Sequence, residues 1–296
     1  MSHPPTQTEI RQLLAQAGLR PQKRYGQHFL VDGNLMRLLV AEAELRASDT
    51  VLEVGPGVGN LTELLLQSAG HVVAAEIDPR VAAIARQRLA AAANLDLLVT
   101  DILADKHTVA PSVLDLVRRS MQTLGGAMKL VANLPYQAAT PLVAELVQAD
   151  PAPERLVFTV QEEVAARLAA APGTADYGPA GVLVQALAEV EILRRLGPSV
   201  FWPRPKVWSA MVRIRPSRAR RARIADLAAF RHTLEGLFGH RRKRAARSLA
   251  LADPAGASPQ AWAERLRAAG LDPEARGEAY SVDEIVHLAN SLTVVR

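Results

Sequence analysis

Short apolar runs alternate with helical patterns along the first part of this 296-residue chain. The runs are rich in Val and Leu, which is typical of parallel strands buried on both faces. After each run, apolar residues recur at the spacing of one helix face. The predicted strands are 50–54, 71–76, 95–99, 129–132 and 156–160, and the predicted helices after them are 60–69, 79–93, a segment inside 109–122, 139–149 and 161–171. This alternation predicts an α/β fold with a doubly wound sheet.

The pattern differs on both sides of this region. Before it, the chain is predicted to form a helix at 9–19, an extended basic segment at 20–31 and a helix at 32–46. After a predicted helix at 179–188, predicted strands at 190–195 and 209–214 are joined by a proline-rich loop. Two strands without a helix between them predict an antiparallel hairpin that closes the sheet.

A domain boundary is expected near residue 217, where Pro216 is followed by a run of arginines. Beyond it the pattern is helical throughout. The predicted helices are 224–238, 240–251, 259–269 and 281–292. We therefore expect one domain at 1–216 and a small all-helical domain at 217–296.

Composition excludes several classes of protein. Hydrophobic residues make up 49% of the chain, but no apolar run reaches the roughly 18 residues of a membrane span. The N-terminus lacks the basic and then apolar layout of a secretory signal, and no cysteine is present for disulfides or thiolate metal sites. The seven histidines are scattered without metal-ligand spacing. We expect a cytoplasmic protein that binds no metal.

Basic charge is concentrated in one block. Between Ile192 and Arg247 there are sixteen Lys and Arg against two acids, whereas the rest of the chain carries nineteen basic and twenty-eight acidic residues. Such a block beside an otherwise acidic protein favours a polyanionic partner, with nucleic acid as the first candidate. A solubilising face is the simpler alternative. A membrane surface is disfavoured because the block has no amphipathic apolar face rich in Trp or Phe.

A glycine-rich turn joins the first predicted strand to its helix at residues 51–60. Gly55, Gly57 and Gly59 allow the backbone to turn tightly and to approach a ligand beside a helix N-terminus. A dinucleotide site would place the third glycine one position later. The form Gly-x-Gly-x-Gly after an acid in the strand, here Glu53, is the usual form of an S-adenosylmethionine site.

Two further acids stand at the ends of the next predicted strands. Glu76 ends the second strand, where a carboxylate could accept both hydroxyls of a ribose. Asp101 follows the third strand, where it could accept a hydrogen bond from an adenine amine. Each acid alone would be an ordinary solvated carboxylate. Three acids on successive strands predict a ligand, because ligands of such sheets bind at the carboxyl ends of the strands.

The sequence Asn-Leu-Pro-Tyr at 133–136 follows the fourth predicted strand. An adenine exocyclic amine is a poor nucleophile because its lone pair is delocalised into the ring. A turn that accepts both N–H groups, through the Asn133 side-chain oxygen and the Leu134 carbonyl, favours a pyramidal nitrogen whose lone pair faces a methyl sulfonium. Pro135 would stiffen the turn, and Tyr136 would offer a ring on which the base stacks. The position of the tetrapeptide, one strand after the adenine-binding acid, favours this catalytic role over an ordinary turn.

With these motifs the chain resembles the ribosomal RNA adenine N6,N6-dimethyltransferase family. The matching motifs are Gln27-His-Phe-Leu30, Glu53-Val-Gly-Pro-Gly57, Glu76-x-Asp78, Asp101-Ile-Leu103, Asn133-Leu-Pro-Tyr136 and Phe201-x-Pro-x-Pro-Lys-Val207 with Ser209-Ala210. The resemblance implies a Rossmann-like methyltransferase sheet and S-adenosylmethionine as the methyl donor. It also implies dimethylation of adenosines in small-subunit (16S) ribosomal RNA, linked to biogenesis of the 30S subunit.

The resemblance assigns a set of residues to the methyl donor. Gln27, His28 and Leu30 would cap it, and Gly55 would line its methionine side together with Gly57. The ribose and adenine contacts inferred from the strand-end acids agree with those of the family. Domain 1–216 would thus hold the donor and perform the catalysis.

The resemblance also assigns residues to the target. Asn133 would contact both the donor and the target amine, and Phe201 would pack on the face of the adenine opposite Tyr136. Domain 217–296 would bind ribosomal RNA or the 30S subunit as part of a monomeric protein. The residues expected to bind RNA are Arg221, Arg223, Arg241, Arg242, Lys243 and Arg244. Two departures concern the substrate side: the segment 104–126 is longer than the family implies, which predicts an insertion, and Trp208 is bulkier.

Three other interpretations stay open. The sister group that dimethylates large-subunit ribosomal RNA and confers macrolide resistance is the nearest, although the basic sequence at 240–244 favours the small-subunit group. A non-catalytic assembly or transcription factor of the same fold is the second, and the intact Glu76, Asp101 and Asn133 argue against it. A DNA adenine-N6 methyltransferase is the third, and the Gln-His-Phe-Leu element at 27–30 favours RNA.

Overall fold

The computed structural model describes residues 5–22, 25–105 and 108–293. Lys23 and Arg24, which belong to the predicted extended segment, lie outside these ranges. The strands are β1 (Phe29–Leu30), β2 (Thr50–Val54), β3 (His71–Glu76), β4 (Leu95–Val99), β5 (Leu103–Asp105), β6 (Thr108–Val109), β7 (Met128–Asn133), β8 (Arg155–Gln161), β9 (Ala188–Leu196), β10 (Phe201–Trp202) and β11 (Ser209–Pro216). The helices are α1 (Gln7–Gln16), α2 (Gly33–Glu42), α3 (Asn60–Leu65), α4 (Pro79–Arg88), α5 (Pro111–Leu124), α6 (Ala139–Gln148), α7 (Glu162–Leu168), α8 (Pro179–Leu187), α9 (Arg218–Ala222), α10 (Leu227–Phe238), α11 (Ala245–Ala252), α12 (Pro259–Ala268) and α13 (Val282–Thr293).

The central sheet has the predicted α/β architecture. Over the residues described, it contains seven strands in the order β4-β3-β2-β7-β8-β11-β9. The strands from β4 to β8 in this order are parallel, and β11 pairs antiparallel to β8. Because β3 and β4 lie on one side of β2 while β7 and β8 lie on the other, the chain direction across the sheet switches between β2 and β7. Ligands of open α/β sheets bind at the carboxyl edge of such a switch point.

The inner strands are apolar because both of their faces are covered. Every residue of β2 is buried, and so is every residue of β8 except the last. One side of the sheet packs on a cluster to which strands and helices both contribute. Its members include Leu39, Val51, Leu65, Val72, Val131, Val157 and Met211. The apolar runs that predicted these strands therefore correspond to strands that are buried on both faces.

Helix α2 ends earlier than predicted because the backbone prevents the helix from continuing. α2 was expected to reach residue 46 but ends at Glu42, and Glu44 adopts a left-handed φ of 48°. A non-glycine residue in this region cannot continue a right-handed helix. The segment 104–126 contains β6 and α5, which begins at Pro111, a favoured first helical residue. Residues 106 and 107 lie outside the described ranges, and the interpretation of this segment as an insertion stays a prediction.

The N-terminal segment covers the glycine-rich turn. α1 begins with a capping box, in which Thr6 accepts from the Glu9 N–H and the Glu9 side chain accepts from the Thr6 N–H. Ile10 and Leu14 are buried in a cluster with Phe29 and Val58. The β1–β10 ribbon, which the sequence did not predict, then joins this segment to the loop that precedes β11.

Contacts divide the chain into two compact units, Met1–Ala165 with Glu191–Pro216, and Ala166–Val190 with Ser217–Arg296. The second unit is helical. Its centre contains Tyr177, which is fully buried and donates from Oη to the Tyr280 carbonyl at 3.0 Å. α8 lies within this unit, ahead of the boundary that the sequence predicted at 217. The division of roles between 1–216 and 217–296 stays a prediction.

A buried ion pair joins the amino ends of β2 and β7. The side chains of Lys129 and Asp49 are both 0% exposed, and Lys129 Nζ lies 2.8 Å from Asp49 Oδ2 and 2.6 Å from the Glu44 carbonyl oxygen. Burial by itself raises the pKa of Asp49, but hydrogen bonds from Lys129 and from the Arg46 and Ala127 N–H groups outweigh it and hold the pKa below its usual value. The Asp49 carboxylate is therefore ionised, and its burial depends on the contact with Lys129.

We expect Lys129→Met to lower the free energy of unfolding by about 3–5 kcal/mol, because it leaves the Asp49 carboxylate buried without a cation. Urea denaturation at neutral pH measures the loss. The double variant Lys129→Met/Asp49→Asn, which removes the unpaired charge, should recover part of it. Equal stability of the single variant and the wild type would contradict the role given to this pair.

Candidate active site

A cavity opens at the carboxyl edge of the sheet, at the switch point between β2 and β7. All of its lining residues lie in the first unit. The structure brings together on its walls every residue predicted to bind the methyl donor: Gln27, His28, Leu30, Gly55, Gly57, Glu76, Asp101 and Asn133. Leu134, Pro135 and Tyr136 line it as well. The predicted donor-binding residues and the Asn-Leu-Pro-Tyr turn therefore converge on one cavity, although they are spread over more than a hundred residues of sequence.

The glycine turn after β2 forms the floor of the cavity. Gly55 and Gly57 have left-handed φ values of 69° and 59°, which favour glycine. A Cβ atom at Gly57 would stand 2.8 Å from the ring of Phe29, and one at Gly55 would stand 3.2 Å from Pro135 Cγ. Both backbone conformation and close packing therefore require glycine at position 57.

Glu76 presents its carboxylate at the end of β3. Its Oε2 accepts from the Gly57 N–H and its Oε1 from the Asp78 N–H, each at 3.0 Å. Burial raises the pKa of Glu76, although these hydrogen bonds oppose the rise. The two N–H groups fix the orientation of the carboxylate and leave each oxygen a lone pair for a ligand hydroxyl.

Glu53 is a buried acid of the cavity with a strongly raised pKa. Its side chain is buried, and its Oε2 atom has no hydrogen-bond partner among the described residues. Burial raises the pKa of Glu53 to about 8; the nearby Thr62 hydroxyl opposes the rise, and the Glu76 carboxylate adds to it. The side chain is therefore protonated at neutral pH. A buried polar oxygen without a partner is costly in itself and is typical of a site that a ligand completes.

Asn133, the last residue of β7, is held from two sides. Its Nδ2 donates to the His28 carbonyl oxygen at 2.7 Å, and its Oδ1 accepts from Thr159 Oγ1 at 2.5 Å. Thr159 is the register partner of Asn133 on β8, and its carbonyl accepts from the Leu134 N–H at 3.1 Å. Thr159 therefore fixes both the side chain and the following turn.

Tyr136 and His28 form a stacked pair beside this turn. Their ring centroids are 5.6 Å apart and the ring planes differ by 28°. Tyr136 Oη lies 3.3 Å from Ser209 Oγ, and His28 Nδ1 lies 2.6 Å from the Pro203 carbonyl oxygen, so Nδ1 carries the proton. The aromatic pair is thus fastened to the segment that leads into β11.

Gln27 and Asp101 both line the cavity. Gln27 Nε2 donates to Asp78 Oδ2 at 3.3 Å, while its Oε1 accepts from the Gln22 N–H at 2.8 Å. Asp101 is exposed, and its Oδ1 accepts from the Leu103 N–H at 3.0 Å. Gln27 is thereby tied into the N-terminal loop, whereas Asp101 keeps an oxygen turned to the surroundings.

Phe201 is placed differently from the other predicted catalytic residues. Its side chain is 2% exposed and belongs to the apolar cluster under the sheet, and it does not line the cavity. Its backbone pairs with Leu30 in the β1–β10 ribbon. Packing against a target base, predicted for this ring, would require it to leave the cluster, and the role stays a prediction.

The residues predicted to bind RNA divide into two groups. Arg241 donates to the carbonyl oxygens of Ala175 and Tyr177 and pairs with Glu278, so it ties the helical unit together. Arg221 donates to the Ile224 carbonyl oxygen. Ion pairs involve Arg223 with Asp283 and Arg244 with Glu274. Arg242 and Lys243 are exposed, and they are the members of the set most open to a phosphate.

The sequence did not indicate two residues of the site. Thr159 lies inside an apolar strand, and only the register between β7 and β8 places its hydroxyl on Asn133. Phe29 belongs to the Gln-His-Phe-Leu motif, but the motif does not indicate that its ring packs on Gly57 at the cavity floor. Neither contact has a signal in local sequence. Glu53 did have one, as the acid that precedes the glycine turn.

Comparison with known proteins defines the family. The model of the ribosomal RNA adenine dimethylase family matches residues 18–293. The chain belongs to this family. It is 38% identical to the ribosomal RNA small subunit methyltransferase A of Magnetococcus marinus over 95% of both chains. It is 40% identical to the protein of the same name from Streptomyces griseus, over 95% of this chain and 92% of the relative. The predicted family and class of enzyme are confirmed.

Solved structures agree with this membership. A dimethyladenosine transferase from Plasmodium falciparum has the same fold, with a TM-score of 0.73 and 22% identity over 88% of this chain and 96% of that one. The 23S rRNA methyltransferase ErmE is 26% identical, with a TM-score of 0.63 over 90% of this chain and 99% of that one. These matches confirm the Rossmann-like methyltransferase fold, and family and fold together imply use of S-adenosylmethionine.

Membrane helices and metal clusters are both absent from the residues that the structure describes. No helix in them has the length and apolar composition that a membrane crossing needs. In the same residues, no three His, Cys, Asp or Glu side chains converge as metal ligands. That the reaction uses no metal stays a prediction.

The raised pKa of Glu53 predicts a pH dependence of stability in the donor-free protein. The folded state keeps a proton that the unfolded chain releases above its ordinary pKa of 4.5, so stability falls as pH rises towards about 8. Glu53→Gln, which copies the protonated form, should remove this contribution. Urea denaturation at about pH 5.5 and about pH 8.5 measures the free energy of unfolding of both proteins. The value of the variant minus that of the wild type should be about 3 kcal/mol more positive at the higher pH. Parallel pH profiles of the two proteins would contradict a buried, protonated Glu53.

Proposed function

We propose that this chain dimethylates the N6 amine of adenosines in small-subunit (16S) ribosomal RNA, with S-adenosylmethionine as the methyl donor. The position of the Asn133 carboxamide carries the proposal. It stands at the end of β7, on the wall of the cavity that also contains Glu76 and Asp101. A donor held by these acids and an amine held by Asn133 would meet in one space.

The residues of the cavity fit the donor. S-adenosylmethionine supplies an electrophilic methyl group on a sulfonium. Glu76 has lone pairs for the two ribose hydroxyls, and Asp101 offers an acceptor for the adenine amine. A cationic group beside Glu53 would use the unpartnered Oε2 atom and lower the pKa of that carboxyl. The glycine turn would allow close approach of the backbone, and Gln27, His28 and Leu30 would cap the donor.

The target amine would be held by the turn after β7. Asn133 Oδ1 accepts from Thr159 and keeps one lone pair for an amine N–H. The Leu134 carbonyl would accept the second N–H, and Pro135 would stiffen the turn. The Tyr136 ring, braced on one face by His28, would offer the other face to the adenine. Extrusion of the base from its stack is the usual requirement for chemistry on a base amine.

Orientation would account for most of the catalysis. Two acceptors on the amine turn its lone pair out of the ring and stabilise the positive charge that develops on nitrogen. A strongly tuned general base is not required, because the methylated ammonium is acidic enough to lose its proton to water or to a carbonyl. Repeating the transfer with a fresh donor would give the dimethyl product.

The names of the relatives support a small-subunit substrate. The curated relatives at 38% and 40% identity are named small subunit methyltransferases, whereas ErmE, named for 23S RNA, is 26% identical. A large-subunit substrate is therefore the second candidate. A non-catalytic assembly factor is the third, and the complete set of acids with Asn133 argues against it. We place the chain in the cytoplasm as a monomer that acts on the 30S subunit or its precursor, with exposed basic residues of 217–296 contacting phosphates.

The proposal is tested by methyl transfer from labelled S-adenosylmethionine to small subunits from a strain that lacks this modification. Large subunits serve as the parallel substrate, and Asn133→Ala serves as the variant expected to bind the donor without transferring methyl groups. We expect two methyl groups per modified adenosine, on small subunits alone. Label on large-subunit RNA would instead support the second candidate. Donor binding without any transfer would support the third.

Thr159 should act as a positioning residue for Asn133. Thr159→Val keeps the shape of the side chain but removes the hydroxyl, so the carboxamide loses one of its two anchors. We expect kcat to fall by about 10- to 100-fold, with an unchanged Kd for the donor. Thr159→Ser, which keeps the hydroxyl, should retain most of the activity. Single-turnover rates and donor titrations measure both effects, and equal rates for the Val and Ser variants would show that the hydroxyl has no such role.

A further inference from the structure

An exposed tryptophan directly precedes β11, next in sequence to a residue that contacts the cavity wall. The Trp208 side chain is 45% exposed, whereas Trp262 is 8% exposed and buried. Trp208 immediately precedes Ser209, whose hydroxyl contacts Tyr136 at the cavity wall. Its carbonyl oxygen also accepts from the Glu162 N–H at 3.0 Å, at the end of β8. The Trp208 backbone is therefore fixed to the sheet, one residue from the hydroxyl that contacts Tyr136.

The indole is braced by an arginine. The Arg195 guanidinium carbon lies 4.2 Å from the centroid of the Trp208 ring. The Glu162 carboxylate holds the guanidinium in place, with Nε to Oε1 at 2.6 Å and Nη2 to Oε2 at 3.1 Å. Because Glu162 neutralises Arg195, its function here is to hold and polarise the ring rather than to bind a phosphate.

The loop around this ring is positively charged. Between Gly197 and Trp208 the only charged residues are Arg204 and Lys206, and both are exposed. An exposed aromatic face beside two exposed cations favours a partner that is both aromatic and anionic. Single-stranded RNA has these properties, because its bases stack on aromatic and guanidinium planes while its phosphates meet the cations.

We propose that Trp208, braced by Arg195, is a stacking platform for an unpaired RNA base next to the target adenosine, with Arg204 and Lys206 contacting the adjoining phosphates. The identity of the partner rests on the proposed function. The platform would help to hold the target RNA strand unpaired and extended while the adenosine occupies the cavity.

Binding of a short oligouridylate with one central adenosine tests the platform, since binding needs no methyl transfer. The full-length protein is compared with Trp208→Ala, Trp208→Phe and Val207→Ala. Val207 is the matched control, because it adjoins Trp208 and is also 45% exposed but has no ring. We expect Trp208→Ala to weaken binding by about 5- to 100-fold, and Trp208→Phe by less, because the benzyl ring still stacks. Val207→Ala should change affinity by no more than about twofold.

A fluorescent base reports the stacking itself. 2-Aminopurine placed on either side of the adenosine should be quenched in one of the two oligonucleotides by the wild type and by Trp208→Phe, but not by Trp208→Ala. In methyl transfer, Trp208→Ala should raise KM for RNA while leaving kcat and the Kd for the donor unchanged.

Equal RNA affinity of Trp208→Ala and the wild type would overturn the platform, whether or not the wild type transfers methyl groups. A loss seen only with assembled subunits, and not with the oligonucleotide, would also overturn it, because the partner would then be a protein. Absence of methyl transfer by a wild type that still binds RNA through Trp208 would contradict the proposed function alone.

Discussion

Parallel pairing of β2 with β3 and β7 brings together the backbone of the glycine turn, the proposed donor acid Glu76 and the proposed target-binding Asn133. Parallel strands present their carboxyl ends at one edge of the sheet, so the segments that leave β2, β3 and β7 emerge side by side. The backbone at Gly57, the carboxylate of Glu76 and the amide of Asn133 are therefore neighbours. At the opposite edge, the buried pair of Lys129 and Asp49 joins β2 to β7. The strand order that builds the core thus also builds the cavity.

The cavity contains two buried carboxyl groups whose loss of solvation is not fully compensated by hydrogen bonds within the described residues. Glu53 and Glu76 are both buried, and burial raises the pKa of each. Glu76 is partly compensated by two backbone N–H groups, whereas one oxygen of Glu53 has no partner in the part of the chain described. Such groups reduce stability in the free protein and become favourable when a ligand with hydroxyl and cationic groups enters. The arrangement suits a polar, positively charged donor.

The substrate side depends on contacts between segments that are distant in sequence. The β1–β10 ribbon and the hydrogen bond from His28 to Pro203 attach the segment before α2 to the loop before β11. Tyr136 is fastened to the same region through Ser209. Basic charge has two uses in this protein: arginines such as Arg241 hold helices together through carbonyl oxygens and carboxylates, while others such as Arg242 are exposed.

The sequence by itself determined the alternation of strands and helices, the glycine turn and the family, because each depends on local periodicity or on a short motif. It also indicated the donor acids, since Glu76 and Asp101 follow recognisable strands. Contacts that depend on strand register and on packing were decided only by the tertiary structure. The hydroxyl of Thr159 reaches Asn133 because β7 and β8 pair at that position, and Phe201 is buried in the core because its strand pairs with β1. Contacts across strands have no period along a single segment, so no local pattern could reveal them.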